Sequence, residues 1–213
     1  TGPAGVRRGG HLLPASAGDR RFTRTIAPAA PWVFGSAGVA YAVLPQALAP
    51  QVGGSALLFA TLLTVVTLGA GVLVQPQVRR FDRADRPVAL RRAMGLVVAG
   101  ILLAAAAVAT ARPALAVVAA AVLGVGYGIG LVAGLLEVQR VAPPGELASL
   151  TGVFGALTYV GFLFPTALAL AAGLAGTATE LLVLAAVAAC CGAGLVRRRP
   201  AATLGLPSPG ADR

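Results

Sequence analysis

Six long apolar runs follow one another along this chain, and arginine falls almost entirely on alternate sides of them. Arg7, Arg8, Arg20, Arg21 and Arg24 precede the first run. Arg79, Arg80, Arg83, Arg86, Arg91 and Arg92 separate the second from the third, Arg140 follows the fourth, and Arg197, Arg198, Arg199 and Arg213 follow the sixth. The other three connections hold only Arg112. Positive residues resist translocation, so the arginine-rich side is the cytoplasmic one. The pattern predicts an all-α membrane protein of six transmembrane helices with both termini in the cytoplasm.

Composition narrows the class further. The chain is 57% hydrophobic and 11% charged, where a soluble domain carries roughly 25% charged residues. In a soluble protein a net charge of +10 would suggest nucleic acid as a partner. Here the arginines cluster at the ends of apolar runs with few aromatic residues among them. Orientation and contact with the headgroups of a lipid bilayer explain them, and nucleic acid is not expected. All basic residues are Arg, beside abundant Ala, Gly and Val; this composition points to a GC-rich bacterial genome and a bacterial inner (plasma) membrane. Cys190 and Cys191 are adjacent inside the sixth run, point about 100° apart on a helix and read as small apolar filler. Neither a metal site nor a cofactor site is expected.

The predicted spans are Ala29–Leu48, Ser55–Val74, Ala93–Ala111, Ala114–Val138, Leu150–Gly173 and Thr179–Val196. Each approaches the roughly 20 residues that cross about 30 Å of hydrocarbon. Residues 1–25 read as a cytoplasmic linker or tail, 26–199 as the six-helix bundle and 200–213 as a cytoplasmic C-terminal tail. The first residue is Thr1, and we expect the chain to be a piece of a longer product.

Polar residues are unevenly shared. The first, second, fourth and fifth spans hold Tyr41, Gln46, Thr61, Thr64, Tyr127, Thr158 and Tyr159, whereas the third and sixth carry no strongly polar side chain away from their ends. A helix with a polar stripe hides it in a bundle or lines water with it. The expectation is that spans one, two, four and five enclose a substrate pathway lined by those seven residues, with three and six at the periphery. An inner-inner-outer order repeated twice is what two inverted three-helix repeats give, a plan common in secondary transporters.

Glycine and proline add packing detail. Gly124 and Gly128, and Gly126, Gly130 and Gly134, form two ridges at spacing four on the fourth span; small residues so spaced let helix backbones approach closely. Pro31, Pro45 and Pro165 fall within spans, where they free carbonyls and permit bends. Static kinks and flexing points are both open readings.

The connection after the second span, Gly71-Val72-Leu73-Val74-Gln75-Pro76-Gln77-Val78-Arg79-Arg80, resembles the loop signature of the major facilitator superfamily. Gly71, Leu73, Arg79 and Arg80 match in register; Gln75 stands at the acidic position and Val78 at the second glycine. That signature occurs once in each half of a member, and the degraded copy is usually the second. Glu137-Val138-Gln139-Arg140-Val141-Ala142-Pro143-Pro144 is similar to the end of that family's tenth helix. Thr151-Gly152 and Gly161-Phe162 with Pro165 are similar to its eleventh. The resemblance covers most of residues 25–199 and implies the C-terminal six-helix half of a transporter. Residues 1–25 would then end a central linker, and the partners would be a preceding six-helix half and a small-molecule substrate. It also implies that Arg79 or Arg80 latches one conformational state by contacting Glu137. A local Glu137–Arg140 pair at i,i+3 is the simpler reading of the same acid.

The expected function is therefore half of a secondary active transporter that moves a small amphipathic molecule by alternating access, with drug-like efflux as the form that an uncharged pathway wall suits. Glu180 sits at an outer span end. Asp82 and Asp85 read as solvated charge balance in the loop. Glu137 is the only acid near the membrane interior, so a coupling acid is expected in the missing half. Enzyme activity is not expected: the single histidine, His11, lies in the tail, and Ser36 stands without a base. The alternatives are a non-transporting six-helix membrane subunit or assembly factor, and an inactive truncated product.

Overall fold

The computed structural model describes residues 14–82, 88–171 and 175–196. Among them are six helices long and apolar enough to cross a membrane, and no strand. We label them α1 (Phe22–Ala47), α2 (Ala56–Phe81), α3 (Val88–Ala109), α4 (Pro113–Val141), α5 (Leu147–Ala171) and α6 (Thr177–Leu195). The helices run past the predicted apolar cores into the arginine-rich segments, so that Arg79, Arg80, Arg91 and Arg92 are helical. Backbone hydrogen bonding continues beyond the hydrocarbon, and long arginine side chains reach the interface from there.

Residues 14–25 correct the reading of that stretch as a tail. A single turn at Ala15–Gly18 leads into α1, and Phe22 and Ile26, one helical turn apart, are buried with Ala30 against Val138, Leu150 and Phe154. Burial of this apolar stripe holds the segment helical. Residues 1–13, 83–87 (with Asp85), 172–174 (with Gly173, the expected end of the fifth span) and 197–213 lie outside the described residues.

Prolines shape α1 and α5. Wide π-type turns at Phe22–Ile26 and Val39–Val43 each end two residues before a proline, Pro28 and Pro45. Proline lacks an N–H, and its ring crowds the carbonyl four residues back. Those carbonyls belong to Arg24 and Tyr41, inside the two wide turns, which gives each bend its cause. In the same way α5 breaks at Gly161-Phe162, four residues ahead of Pro165. The connection from α1 to α2 turns on Gly53, whose φ of 51° with ψ of −128° is open only to glycine at low cost.

At the centre of the bundle α4 touches α1, α2, α3 and α5. α3 lies between α4 and α6, and α5 rests on α1. The glycine ridges set these approaches. A Cβ on Gly124 would meet the backbone of Thr67, and one on Gly128 the backbone of Gly71, so this ridge brings α4 against α2 with no side chain between them. Gly126 packs on Leu96 and Val97 of α3, Gly130 faces Val33 and Ala93, and Gly134 seats the ring of Phe154.

The expected periphery is corrected for α3. In their most apolar stretches 67% of residues are buried in α1, 50% in α4 and 44% in α3, against 28% in α6, 22% in α2 and 17% in α5. An apolar residue is as comfortable against another helix as against lipid. The absence of polar side chains therefore did not force α3 outward, and its Ala93, Val97, Gly100, Ile101 and Ala104 pack inward. The flanking helices are α2, α5 and α6, with Leu57 80%, Leu73 75%, Leu170 82% and Val183 60% exposed.

Candidate functional site

Two groups of residues stand out, one at mid-height and one at the arginine-rich end. At mid-height four rings from three helices meet. Phe34 of α1 stacks on Phe162 of α5 with centroids 5.0 Å apart and planes at 12°. It also meets Tyr159 at 5.2 Å and Tyr127 of α4 at 5.9 Å. Such offset and tilted pairs contribute about 0.5–1.5 kcal/mol each beyond area burial. Tyr127 is the middle residue of α4, Tyr159 that of α5, and Phe34 stands beside the middle of α1. Gly71 of α2 lies against the Tyr127 ring. Tyr159 is 63% and Phe162 39% exposed, so the cluster opens on one side of the bundle. The hydroxyls of Tyr41, Tyr127 and Tyr159 have no hydrogen-bond partner among the described residues.

The predicted pathway residues do not converge as a set. Tyr127 and Tyr159 come together through Phe34. The threonines are satisfied within their own helices: Thr61 donates to the Leu57 carbonyl at 2.9 Å, Thr64 to Ala60 at 2.8 Å and Thr158 to Gly155 at 2.6 Å. Thr158 is also buried. Side-chain bonding to the preceding turn is the usual fate of a helical threonine, and it leaves these three without a free donor. Gln46 lies apart, at the end of the bundle opposite the arginines, in a cavity of about 460 Å³ shared with Thr166, Thr177 and Glu180. This splits the expected wall into a midplane aromatic face and a separate polar cavity.

At the arginine-rich end the expected latch is corrected in its partner. Glu137 is buried with 1% of its side chain exposed. Arg21 donates to its Oε2 through Nε at 2.8 Å and Nη2 at 2.8 Å, and Arg140 donates Nη1 to Oε1 at 2.6 Å. Arg79 and Arg80 are exposed on the last turn of α2 and make no ion pair among the described residues. Helix phase explains this: Val78 points inward, fully buried, so the next two residues, about 100° and 200° further round, turn away. Leu73 is likewise outward, and Gly71 acts in packing on α4.

Arg140 carries the network on. Its Nη2 donates to Asp82 Oδ2 at 2.7 Å, and the Asp82 side chain is 3% exposed. Asp82 is thus a buried partner, contrary to the expectation of solvated charge balance. Arg21, Glu137, Arg140 and Asp82 join the beginning of α1, the end of α4 and the end of α2 in alternating charge. Beside them Ser16 donates both its N–H (2.9 Å) and its hydroxyl (2.6 Å) to Glu146 Oε2. These bonds, the hydroxyl first, hold the Glu146 carboxyl below its ordinary value. At the same end Arg91 of α3 donates to the Leu195 carbonyl of α6 at 3.0 Å.

Sequence reasoning missed Arg21, Asp82, Phe34, Phe162 and the burial of Glu180. The spacing Phe22/Ile26 was a usable sign that the preceding arginines sit on a packed helix. Phe34 and Phe162 carried no sign beyond their mid-span positions. Among the described residues no three metal-ligating side chains converge. No protein family, curated protein or solved structure matches this chain.

Proposed function

We propose that this chain is one six-helix half of a secondary active transporter, that its aromatic face closes a midplane cavity against a second six-helix body, and that the pair moves a small amphipathic molecule by rocking. The observation that carries this reading is the uncovered cluster of Phe34, Tyr127, Tyr159 and Phe162 at mid-height. Unpartnered hydroxyls at the centre of a bilayer are unfavourable against hydrocarbon. A second protein body or a water-filled cavity satisfies them. Stacked rings with tyrosine hydroxyls at their edges suit a substrate with an apolar body and a few polar groups.

Packing supports the same reading. α2 lies on α4 and α5 on α1, so the second helix of each three-helix set rests on the first helix of the other, as two inverted repeats would arrange it. The arginine bias supports reading the Arg21–Glu137–Arg140–Asp82 network as cytoplasmic, and the arginine-only basic composition supports a bacterial inner membrane. There it ties α1, α2 and α4 into one rigid body, which is what rocking of one half against another needs. The resemblance of Gly71–Arg80 to the major facilitator loop agrees with this, and the latch it implied becomes an internal brace built on Arg21.

A non-transporting six-helix membrane subunit is the second reading, favoured by the self-satisfied hydroxyls of Thr61, Thr64 and Thr158. Vesicle reconstitution separates the two. Uptake of a fluorescent lipophilic probe is expected from the chain joined to a second half and not from the chain alone. Probe movement by the chain alone as a monomer, or by neither preparation, would overturn the half-transporter reading.

A further inference from the structure

Glu180 occupies an unusual position. It stands in the first turn of α6, is 8% exposed, and neither carboxylate oxygen has a hydrogen-bond partner among the described residues. Two cavities meet at it. One, about 460 Å³, lies between α1, α5 and α6 and is lined by Gln46, Thr166 and Thr177 together with Val43 and Pro165. The other, about 250 Å³, is walled by Phe164, Leu168, Val183 and Leu184. Among the described residues Glu180 is the only charged one lining either cavity. Arg112, a cation at the same end of the bundle, lines a separate cleft with Pro113 and Val118.

A buried carboxylate without a partner is unfavourable unless a cation completes it. The surroundings select the kind of cation. A hard divalent ion is held largely by carboxylates, and here a single carboxylate is joined by one amide and the hydroxyls of Thr166, Thr177 and Thr179. The space is of the size that takes a small organic molecule, roughly 300–1,000 Å³. Its walls offer aliphatic and aromatic contact on one side of the carboxylate and hydrogen-bonding groups on the other. One negative charge matches one positive charge.

We propose that this cavity binds an amphiphilic organic monocation, with Glu180 as its counter-ion, Gln46, Thr166 and Thr177 contacting its polar end, and the Phe164–Leu184 side receiving its apolar body. The site lies on α1, α5 and α6 away from the midplane aromatic face, and binding there does not depend on the chain being half of a transporter.

The test is equilibrium binding of tritiated benzyltrimethylammonium to the purified full chain in lipid nanodiscs. The probe keeps its charge at every pH. Saturable binding at one site per chain is expected, with no competition from neopentylbenzene, the neutral carbon isostere. Loss of a charge-assisted contact predicts that Glu180→Gln weakens affinity about tenfold or more. Glu146→Gln, which removes a carboxylate elsewhere, is expected to leave binding unchanged. Absence of saturable binding, equal competition by the neutral isostere, or wild-type affinity in Glu180→Gln would each overturn the proposal. The isostere arm uses the unaltered protein, so it stands whatever the folding of the variant.

Discussion

Arg140 is the residue on which the arginine-rich end depends, and its replacement gives a sharp expectation. Its guanidinium holds two carboxylates at once, Glu137 at 2.6 Å and Asp82 at 2.7 Å, which are 1% and 3% exposed. Among the described residues Arg140→Gln leaves Asp82 without a partner and Glu137 with Arg21 alone. Removing one member of a buried pair costs about 3–5 kcal/mol, because the other charge stays buried. The Arg140 side chain is 22% exposed, which admits some water and puts the expectation near the lower bound, about 3 kcal/mol. Arg21→Gln is milder: Arg21 is 37% exposed and Glu137 keeps its bond to Arg140, so about 1 kcal/mol is expected. In a chain of this length each kcal/mol moves the midpoint by about 2–4 °C, giving falls of about 6–12 °C and 2–4 °C. The fluorescence of Trp32, the single tryptophan, packed 5.0 Å from Phe164, reports unfolding in detergent. Adding Asp82→Asn to Arg140→Gln removes the stranded charge and is expected to recover part of the loss. A fall for Arg21→Gln as large as that for Arg140→Gln, or no recovery in the double variant, would refute the reasoning.

Three further outcomes follow from other parts of the molecule. Gly128→Ala sets a methyl against the backbone of Gly71 and is expected to lower the thermal midpoint through a loss of about 1–3 kcal/mol, whereas Gly155→Ala, with nothing near its Cβ, gains up to about 1 kcal/mol from helix propensity; equal midpoints for the two variants would contradict the α2–α4 approach. Because the Glu146 carboxyl is held below its ordinary value of 4.5 by Ser16, its contribution is fully present above that value and is lost as pH falls through the lowered one. Amide protection at Ser16, corrected for intrinsic exchange, is expected to follow that course and to be weak at all pH values in Glu146→Gln; protection that persists unchanged in strong acid would count against it. Phe22→Ala removes a buried ring between α1 and the α4–α5 end, with an expected loss of about 3–5 kcal/mol, read as a lower midpoint and faster proteolysis after Arg20 or Arg21; a chain as resistant as wild type would return residues 14–25 to the status of a tail.

Much of this architecture is legible in the sequence because its physics is one-dimensional. Apolar length and arginine position define six spans without knowledge of any contact. The spacing-four glycines of the fourth span announce close approaches, and α2, α3 and Phe154 are found there. What stayed hidden depended on helix phase and on distant pairs. Arg79 and Arg80 were expected at Glu137 from their place in a loop, but the burial of Val78 turns them outward, and Arg21 arrives instead from a segment that folds only because Phe22 and Ile26 find a surface. The hydroxyls of Thr61, Thr64 and Thr158 read as pathway groups, yet each has a carbonyl of its own helix within reach. α3 read as peripheral because an apolar composition does not tell a lipid neighbour from a helix neighbour. Gln46 and Glu180 share a cavity across 134 positions of sequence, a meeting that no local pattern encodes.

The central claim is that the face carrying Tyr159 borders a water-filled cavity and not lipid. Cysteine accessibility tests it directly. With Cys190 and Cys191 replaced by Ser, Tyr159→Cys and Leu102→Cys are each labelled in native membranes with a water-soluble maleimide. Both positions are surface-exposed near the middle of their helices, Tyr159 at 63% and Leu102 at 46%, and a thiol reacts as its thiolate, which hydrocarbon does not support. The account predicts rapid labelling at Tyr159→Cys and almost none at Leu102→Cys. Equal silence at both positions would place the aromatic face in lipid and contradict the half-transporter reading.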